Sequence, residues 1–341
     1  MAEFRVGILG TGQIAGGYDL DRAPGERGVF THAGAYRAQG GFRLAWAADP
    51  DAASLARFAA AWHPEQTTQD VDRLLLEPLD VLSICSPNAC HVEQVLRALE
   101  AGQVRALWVE KPFAPTLGEA ETIRQLAFLH QVQLLINFQR RFDPVLLALR
   151  ERLRGEDIRL VRGLYHKGWS HMGTTLVDLA HLLFGPPERV EARSHGATGS
   201  GDLILDVQMH WAGFTGHLLA LDSPGAPSPC HVFDLEIFTA RERILITDNS
   251  RRILVHPIGD YAYGGVKVYL PEAEAQQTDF DQSMVHSAGF MEGFLRGDQA
   301  WSERPLLDNL EVCATVQAGL EAARQNVPIF LPPVPPDLEM S

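Results

Sequence analysis

The 341-residue chain is poor in cysteine. Cys85, Cys90, Cys230 and Cys313 are scattered and form no Cys-x-x-Cys pair. Such thiols fit neither a disulfide framework nor a zinc knuckle, so a reducing, cytoplasmic setting is expected. The thirteen histidines include no His-Glu-x-x-His or comparable ligand spacing, and no metal is expected. Positive charge is also short. Against 43 Asp and Glu stand 29 Lys and Arg, leaving a formal charge of -14, and no basic run reverses that balance locally. A nucleic-acid partner is therefore not expected. No segment approaches the roughly 18 apolar residues of a membrane span. The first nine residues pass almost directly into an apolar strand pattern, without the features of a signal peptide. Internal repeats are lacking as well.

Hydrophobic residues make up 46% and charged residues 21%, the balance of a chain that folds throughout. The length favours two domains, which also supply a cleft. From residue 4 to about 153, short apolar runs at 4–9, 42–47, 81–85, 106–109 and 134–138 alternate with amphipathic stretches at 52–62, 91–101 and 117–130. That alternation predicts βαβ units on a parallel sheet, with ligands at the carboxyl edge of its strands. After 154–156 the texture changes. One helix is predicted at 174–184, followed by period-two strands at 190–193, 203–211, 217–221, 232–238 and 244–247, which form a largely antiparallel sheet. Closing helices are predicted at 283–295 and 307–325, the first with Met284, Ala288, Met291 and Leu295 on one stripe. The proline-rich tail at 332–336 reads as an extended surface strap. The expected fold is thus α/β plus α+β, with a doubly wound Rossmann domain at 1–135 and a substrate and oligomerisation domain at 136–341.

Gly10, Thr11, Gly12, Gln13, Ile14 and Ala15 follow the first strand and match G-x-G-x-x-A. Gly10 allows a tight turn and Gly12 admits a pyrophosphate close to the backbone. Ala15 keeps the following helix near the sheet, so that the helix N-terminus meets the diphosphate. Asp49, after the second strand, is placed to accept hydrogen bonds from a ribose diol, and its charge opposes a 2'-phosphate. This favours NAD over NADP. The alternative for 49–51 is a helix N-cap. The segment 16–31 is an insertion that lengthens the spacing to Asp49; it reads either as a lid or pocket wall or as a solvated loop.

Two further motifs, Ser86-Pro87-Asn88 with His91 and Val109-Glu110-Lys111-Pro112, together with the glycine loop, resemble the glucose-fructose oxidoreductase and inositol dehydrogenase family, Gfo/Idh/MocA. Residues 137–142 and 171–185 are also similar to that family's segments. The likeness covers nearly the whole chain and is most specific from residue 4 to residue 185.

The resemblance implies a nicotinamide cofactor and a sugar, sugar-nucleotide or cyclitol substrate. It also implies an open antiparallel sheet that makes homodimer or homotetramer contacts. Lys111 would face the reacting carbon with Glu110 in support, and the Lys111-Pro112 bond would be cis. Ser86, Pro87, Asn88 and His91 would border the cofactor, although His91 also reads as packing for its helix. Of Arg140 and Arg141, one would touch cofactor or substrate and the other a surface carboxylate.

The chain departs from the family at Thr175, where a histidine is usual. The alternatives are that His171 transfers the proton or that Lys111 works without a histidine partner. His166 and Asp178 complete the expected substrate side. The resulting reading is hydride transfer between NAD and a secondary alcohol or ketone. Its alternatives are a cofactor-binding sensor or assembly protein without dehydrogenase chemistry, and an internal redox cycle on tightly held NAD.

Overall fold

The computed structural model describes residues 3–22, 27–226, 230–261, 264–271, 273–302 and 304–332. The chain divides into two compact units, Met1–Phe142 with Asp281–Leu310, and Asp143–Phe280 with Glu311–Ser341. The proline-rich strap expected at 332–336 lies, from residue 333 onward, outside the described residues.

In the first unit, six strands lie in the order β3-β2-β1-β4-β5-β6, all parallel. They are β1 (Phe4–Leu9), β2 (Phe42–Ala48), β3 (Gln66–Thr68), β4 (Leu79–Ile84), β5 (Val104–Val109) and β6 (Gln133–Ile136). The four inner strands of this order end in four consecutive buried residues, as a sheet covered on both faces requires. Helices occupy the predicted stretches Ala52–Trp62, His91–Ala101 and Leu117–His130. Asp51 starts the first of these, accepting the N–H groups of Ala53 and Ser54. Thr116 starts the last, where its hydroxyl accepts from Glu119 N and donates to the Glu119 carboxylate, a reciprocal cap.

The sequence reading omits the short helices Tyr18–Leu20 and Val71–Leu75 and two further elements. β3 is three polar residues with no apolar run, held at the sheet edge only by its pairing to β2. The helix His32–Gln39 is short; Thr31 caps it, and Ala33, Ala35 and Tyr36 anchor it in the core. The first unit also includes 281–310, a segment the sequence reading places with the C-terminal part. The reason is the helix Ser283–Arg296, whose stripe of Met284, Ala288, Met291 and Leu295 joins one buried cluster with Val6, Ala33, Tyr36 and Trp108.

The second unit is a ten-stranded, mainly antiparallel sheet. Its strands are β7 (Ile158–Tyr165), β8 (Arg189–Ala197), β9 (Leu203–His210), β10 (Thr215–Ala220), β11 (Asp234–Thr239), β12 (Glu242–Thr247), β13 (Arg252–Asp260), β14 (Lys267–Tyr269), β15 (Glu274–Gln277) and β16 (Ile329–Phe330). They run in the order β14-β13-β12-β11-β7-β10-β9-β8-β16, with β15 paired to β13, and only β7 and β10 are parallel neighbours.

The sequence reading lacks β7, β13, β14, β15 and β16. β7 is the central strand of this sheet, yet it carries Arg159 and Arg162 on its exposed positions, and these dilute the apolar signal. β13 contains Pro257, which breaks the strand pattern in sequence. The predicted helix Thr174–Phe184 is present, with ten of its eleven residues buried. An unpredicted helix, Pro144–Leu153, is started by the Asp143 cap and a proline in its first turn.

Candidate active site

Parallel strands place every loop that follows a strand at one edge, and the order of the first sheet sets which loops are neighbours. The Gly10 loop follows β1, Asp49 follows β2, Ser86 lies just beyond β4, Lys111 just beyond β5 and Asn137 after β6. The order in which successive strands are added reverses between β1 and β4, and there the glycine loop is tightest. Gly10 has φ +85°, and a Cβ there would lie 2.6 Å from Ser86 N. Any side chain at Gly10 would force the β1 and β4 loops apart. A Cβ at Gly12, by contrast, would meet nothing within 4 Å. Its smallness serves no packing among the described residues and leaves open space at the loop, the arrangement a diphosphate needs. Ala15 is wholly buried. Gln13 and Ile14 occupy the first turn of the helix that follows, a wide turn spanning Gln13–Gly17.

Asp49 is not the cap of the helix Ala52–Trp62; Asp51 fills that role. The Asp49 carboxylate is tied to the glycine loop instead. Its Oδ2 accepts from Thr11 N at 2.7 Å and from the Thr11 hydroxyl at 2.9 Å, and its Oδ1 accepts from Asp51 N at 2.9 Å. Oδ1 retains capacity for a further donor. An open pocket of about 370 Å³ flanks this side of the loop, lined among others by Thr11, Gly12, Gln13, Ser54 and Arg57. The pocket lies at the β1–β2 side, whereas Lys111 follows β5.

The insertion at 16–31 is organised from within, apart from residues 23–26, which lie outside the described residues. Asp19 accepts from Arg22 at 2.7 Å, from Phe30 N at 3.0 Å and from the Thr31 hydroxyl at 2.6 Å. Of the two expectations the pocket wall fits: Gly17 and Leu20 line the pocket beside the glycine loop, and the Asp19 carboxylate ties this stretch to residues 30 and 31. Gly16 is a packing constraint that sequence reasoning missed, since a Cβ there would lie 2.3 Å from the Trp62 indole.

Around β4 and β5 the site is a connected polar network in an otherwise apolar interior. Glu110 Oε1 lies 3.1 Å from His32 Nε2 and also accepts from the Asn137 amide, while Oε2 accepts from Lys111 N at 3.2 Å. His32 is wholly buried; its Nδ1 lies 3.0 Å from the Ser83 hydroxyl, which is 2.8 Å from the Tyr36 hydroxyl. Trp108 donates to Asn137 at 3.3 Å and packs against the His32 ring, tilted by 48° with centroids 4.1 Å apart. Burial alone would push the Glu110 carboxyl up. The hydrogen bond and charge of His32, the Asn137 amide and the Lys111 ammonium outweigh it and hold Glu110 below the usual glutamate range. Burial, then the Glu110 charge, pushes the Cys85 thiol well above its usual value, so it stays a neutral thiol.

Lys111 is half-buried, and the Lys111-Pro112 peptide bond is cis. His91, wholly buried, bridges the two motif loops: Nδ1 lies 2.9 Å from Pro112 O and Nε2 2.8 Å from Ser86 O. It buttresses the site as well as packing its helix. Ser86 donates to Gln94, and Pro87 and Asn88 form the turn between β4 and that helix. Arg141 takes the carboxylate role, pairing with Asp308 at 2.7 Å, while Arg140 is buried.

In the second unit, His171 is exposed and sits on the wide turn Trp169–Gly173 that leads into the helix Thr174–Phe184. Asp202 fixes this turn by accepting from Ser170 N at 3.1 Å and His171 N at 3.0 Å. Thr175 is buried, with its hydroxyl 3.5 Å from His171 O. Asp178 is buried on the same helix. His166 is buried beside His231 at 4.4 Å, with Nδ1 2.8 Å from Val232 O. Among the described residues no cluster of three or more His, Cys, Asp or Glu could hold a metal ion, and no helix is long and apolar enough to cross a membrane.

Residues 4–138 match the oxidoreductase family with an NAD-binding Rossmann fold, Gfo/Idh/MocA. Residues 4–138 thus carry the NAD-binding Rossmann fold of this family. The uncharacterised oxidoreductase YhhX of Escherichia coli (strain K12) is 28% identical over 183 residues, 46% of this chain and 52% of that protein. The NAD(+)-dependent scyllo-inositol 2-dehydrogenase of Bacillus subtilis (strain 168) is 26% identical over 131 residues, 38% of this chain and 37% of that protein. The chain thus spans about half, or less, of the length of the curated relatives it matches. Among solved structures, levoglucosan dehydrogenase in complex with NADH and levoglucosan is similar over 97% of this chain and 100% of that one, with a TM-score of 0.75 at 19% identity. That likeness shows a shared fold over nearly the whole chain.

Proposed function

We propose that this protein transfers a hydride between NAD and a secondary alcohol or ketone of a sugar, sugar-nucleotide or cyclitol, with Lys111 at the reacting oxygen. The observation that carries the reading is the sheet order: Gly10 and Lys111 follow β1 and β5, two strands separated only by β4, at the same edge. Gly12, the Gln13–Gly17 turn and Asp49 are suited to hold the dinucleotide, because the loop has open space where a side chain would stand and Asp49 keeps an acceptor oxygen. When bound, the nicotinamide supplies the hydride acceptor or donor.

The chain's own residues then handle the proton and the charge. Lys111 holds the substrate oxygen: as an ammonium it donates to the alkoxide that develops on reduction, and as a neutral amine it receives the hydroxyl proton in the oxidative direction. Glu110, kept anionic by its donors, gives that ammonium a fixed counter-charge. His171 is a secondary candidate for proton exchange with solvent, being exposed on a fixed turn. The Asp49 charge favours NAD over NADP.

One observation supports a second reading, a cofactor-binding sensor or assembly protein. Thr175, where the family has a histidine, is buried with its hydroxyl directed at the His171 carbonyl oxygen, and a threonine is no proton acceptor near neutral pH. Calorimetric titration with NAD, followed by a panel of sugars and cyclitols read at the reduced-nicotinamide absorbance band, separates the two. A reproducible absorbance change excludes the sensor reading. Stoichiometric NAD binding with no change across the panel excludes the dehydrogenase reading.

A further inference from the structure

Most of the groups around Glu110 belong to the strands that build the sheet, but one does not. His32 arrives on the helix His32–Gln39, directly after the insertion at 16–31, and spends both ring nitrogens on the polar network behind Lys111. An ionised carboxylate has no proton to give, so the contact at 3.1 Å is a donation from His32 Nε2–H to Glu110 Oε1. Ser83 and Tyr36 hold the other side of the ring at 3.0 Å and 2.8 Å in series. The ring cannot turn away without leaving its own two nitrogens unpartnered in a buried place. The groups that face the pair are Tyr36 from the same helix, Ser83 and Cys85 at β4, Trp108 and Lys111 at β5, and Asn137 beyond β6. Of these, Asn137, Lys111 and His32 favour the Glu110 anion, and the nearby thiol stays neutral.

We propose that His32 is a positioning residue for the proposed reacting centre: by donating to Glu110 it keeps a carboxylate anion fixed behind the Lys111 ammonium. This rests on Lys111 having the role given above, but its test needs no turnover. Within a wholly buried site, removing one donor from a carboxylate raises the pH at which it takes up a proton. Lys111 stands next in the chain and registers that event.

The chain has three lysines, Lys111, Lys167 and Lys267. Reductive methylation of the full chain with ¹³C-formaldehyde therefore gives few dimethyl-lysine signals, assigned through Lys167→Arg and Lys267→Arg. The wild-type Lys111 signal is expected to stay flat from pH 8 to 5 in NMR titration, because Glu110 is already ionised throughout. His32→Phe, which keeps a ring beside Trp108 but removes both nitrogens, should raise the pH of that proton uptake far enough to introduce an inflection inside that window. His32→Gln, which keeps a donor, should restore the flat line. Ser83→Ala, a small change at the far end of the series, should shift the inflection the same way by less, and it carries the test if His32→Phe does not fold. Flat lines for His32→Phe and Ser83→Ala alike, or an inflection in His32→Phe that His32→Gln does not remove, would overturn the proposal. A shifted inflection in a protein that reduces no NAD would leave His32 in place and remove only the dehydrogenase reading.

Discussion

The carboxyl edge of the first sheet and the substrate-side motif of the second unit bear their candidate residues in opposite ways. At the sheet edge each is clamped. Gly10 is pressed against Ser86, Asp49 accepts three hydrogen bonds, His91 spans two loops, and Glu110 collects donors from three elements. In the second unit, His171 is exposed, and its main chain, through Asp202, sets its place. Groups held on several sides keep one geometry from one moment to the next, whereas a side chain on a solvent-facing turn samples rotamers. The contrast favours Lys111 over His171 as the fixed group of the proposed reaction.

Substitutions that strike the clamped edge should therefore cost most. Lys111→Ala is expected to lower turnover by about 10²–10⁴-fold while NAD binding by calorimetry stays within a few-fold, since general acid-base groups contribute on that scale. Unchanged turnover with a true substrate would remove Lys111 from the reaction. Gly10→Val comes next: its φ of +85° and the 2.6 Å approach to Ser86 N predict strain of about 1–3 kcal/mol and loss of the thermal shift that NAD gives the wild type. A normal NAD-induced shift would show that the loop is not the diphosphate site. His171→Ala tests the other side of the comparison. Turnover should fall by about tenfold or less, and a drop beyond 10² would transfer the proton step to the second unit.

The smallest effect concerns acid stability. Glu110 is held below its ordinary value of 4.5, so its stabilising contribution is complete above that pH and fades as pH falls through the lower folded-state value. The gap in Tm between wild type and Glu110→Gln should accordingly narrow below pH 4.5. A constant gap from pH 7 to 3.5 would show that Glu110 is not held as a depressed, ionised carboxylate.

How legible all this was depended on whether the signal lay within one local stretch. The glycine loop, the three helices of the βαβ units and the Glu110-Lys111-Pro112 turn were readable because each is a short pattern with a local physical cause. His32 was not, because its meaning is set by Ser83 and Glu110, which lie 51 and 78 residues away in sequence. Asp19 and Gly16 escaped for the same reason. Their partners, Thr31 and Trp62, carry no pattern that joins them in sequence. β7 was missed because arginines on its outward positions lowered its apolar content, although it is central. One available signal went unused: in a chain whose basic residues are nearly all arginine, three lysines stand out, and one is half-buried beside a buried glutamate. An amine can lose its proton within the working range of an enzyme, and a guanidinium cannot.

The helix Ser283–Arg296 has an implication for how this protein is made. Its four apolar side chains complete the interior that β1 and the Trp108 region begin, so the N-terminal half emerges from the ribosome with an open seam. That seam closes only when residue 295 has been synthesised, roughly eight to thirty seconds after residue 142 at about 5–20 residues per second. During the interval the nascent nucleotide-binding half exposes a greasy trough suited to chaperone capture, and a gene cut after residue 142 should yield an aggregation-prone fragment.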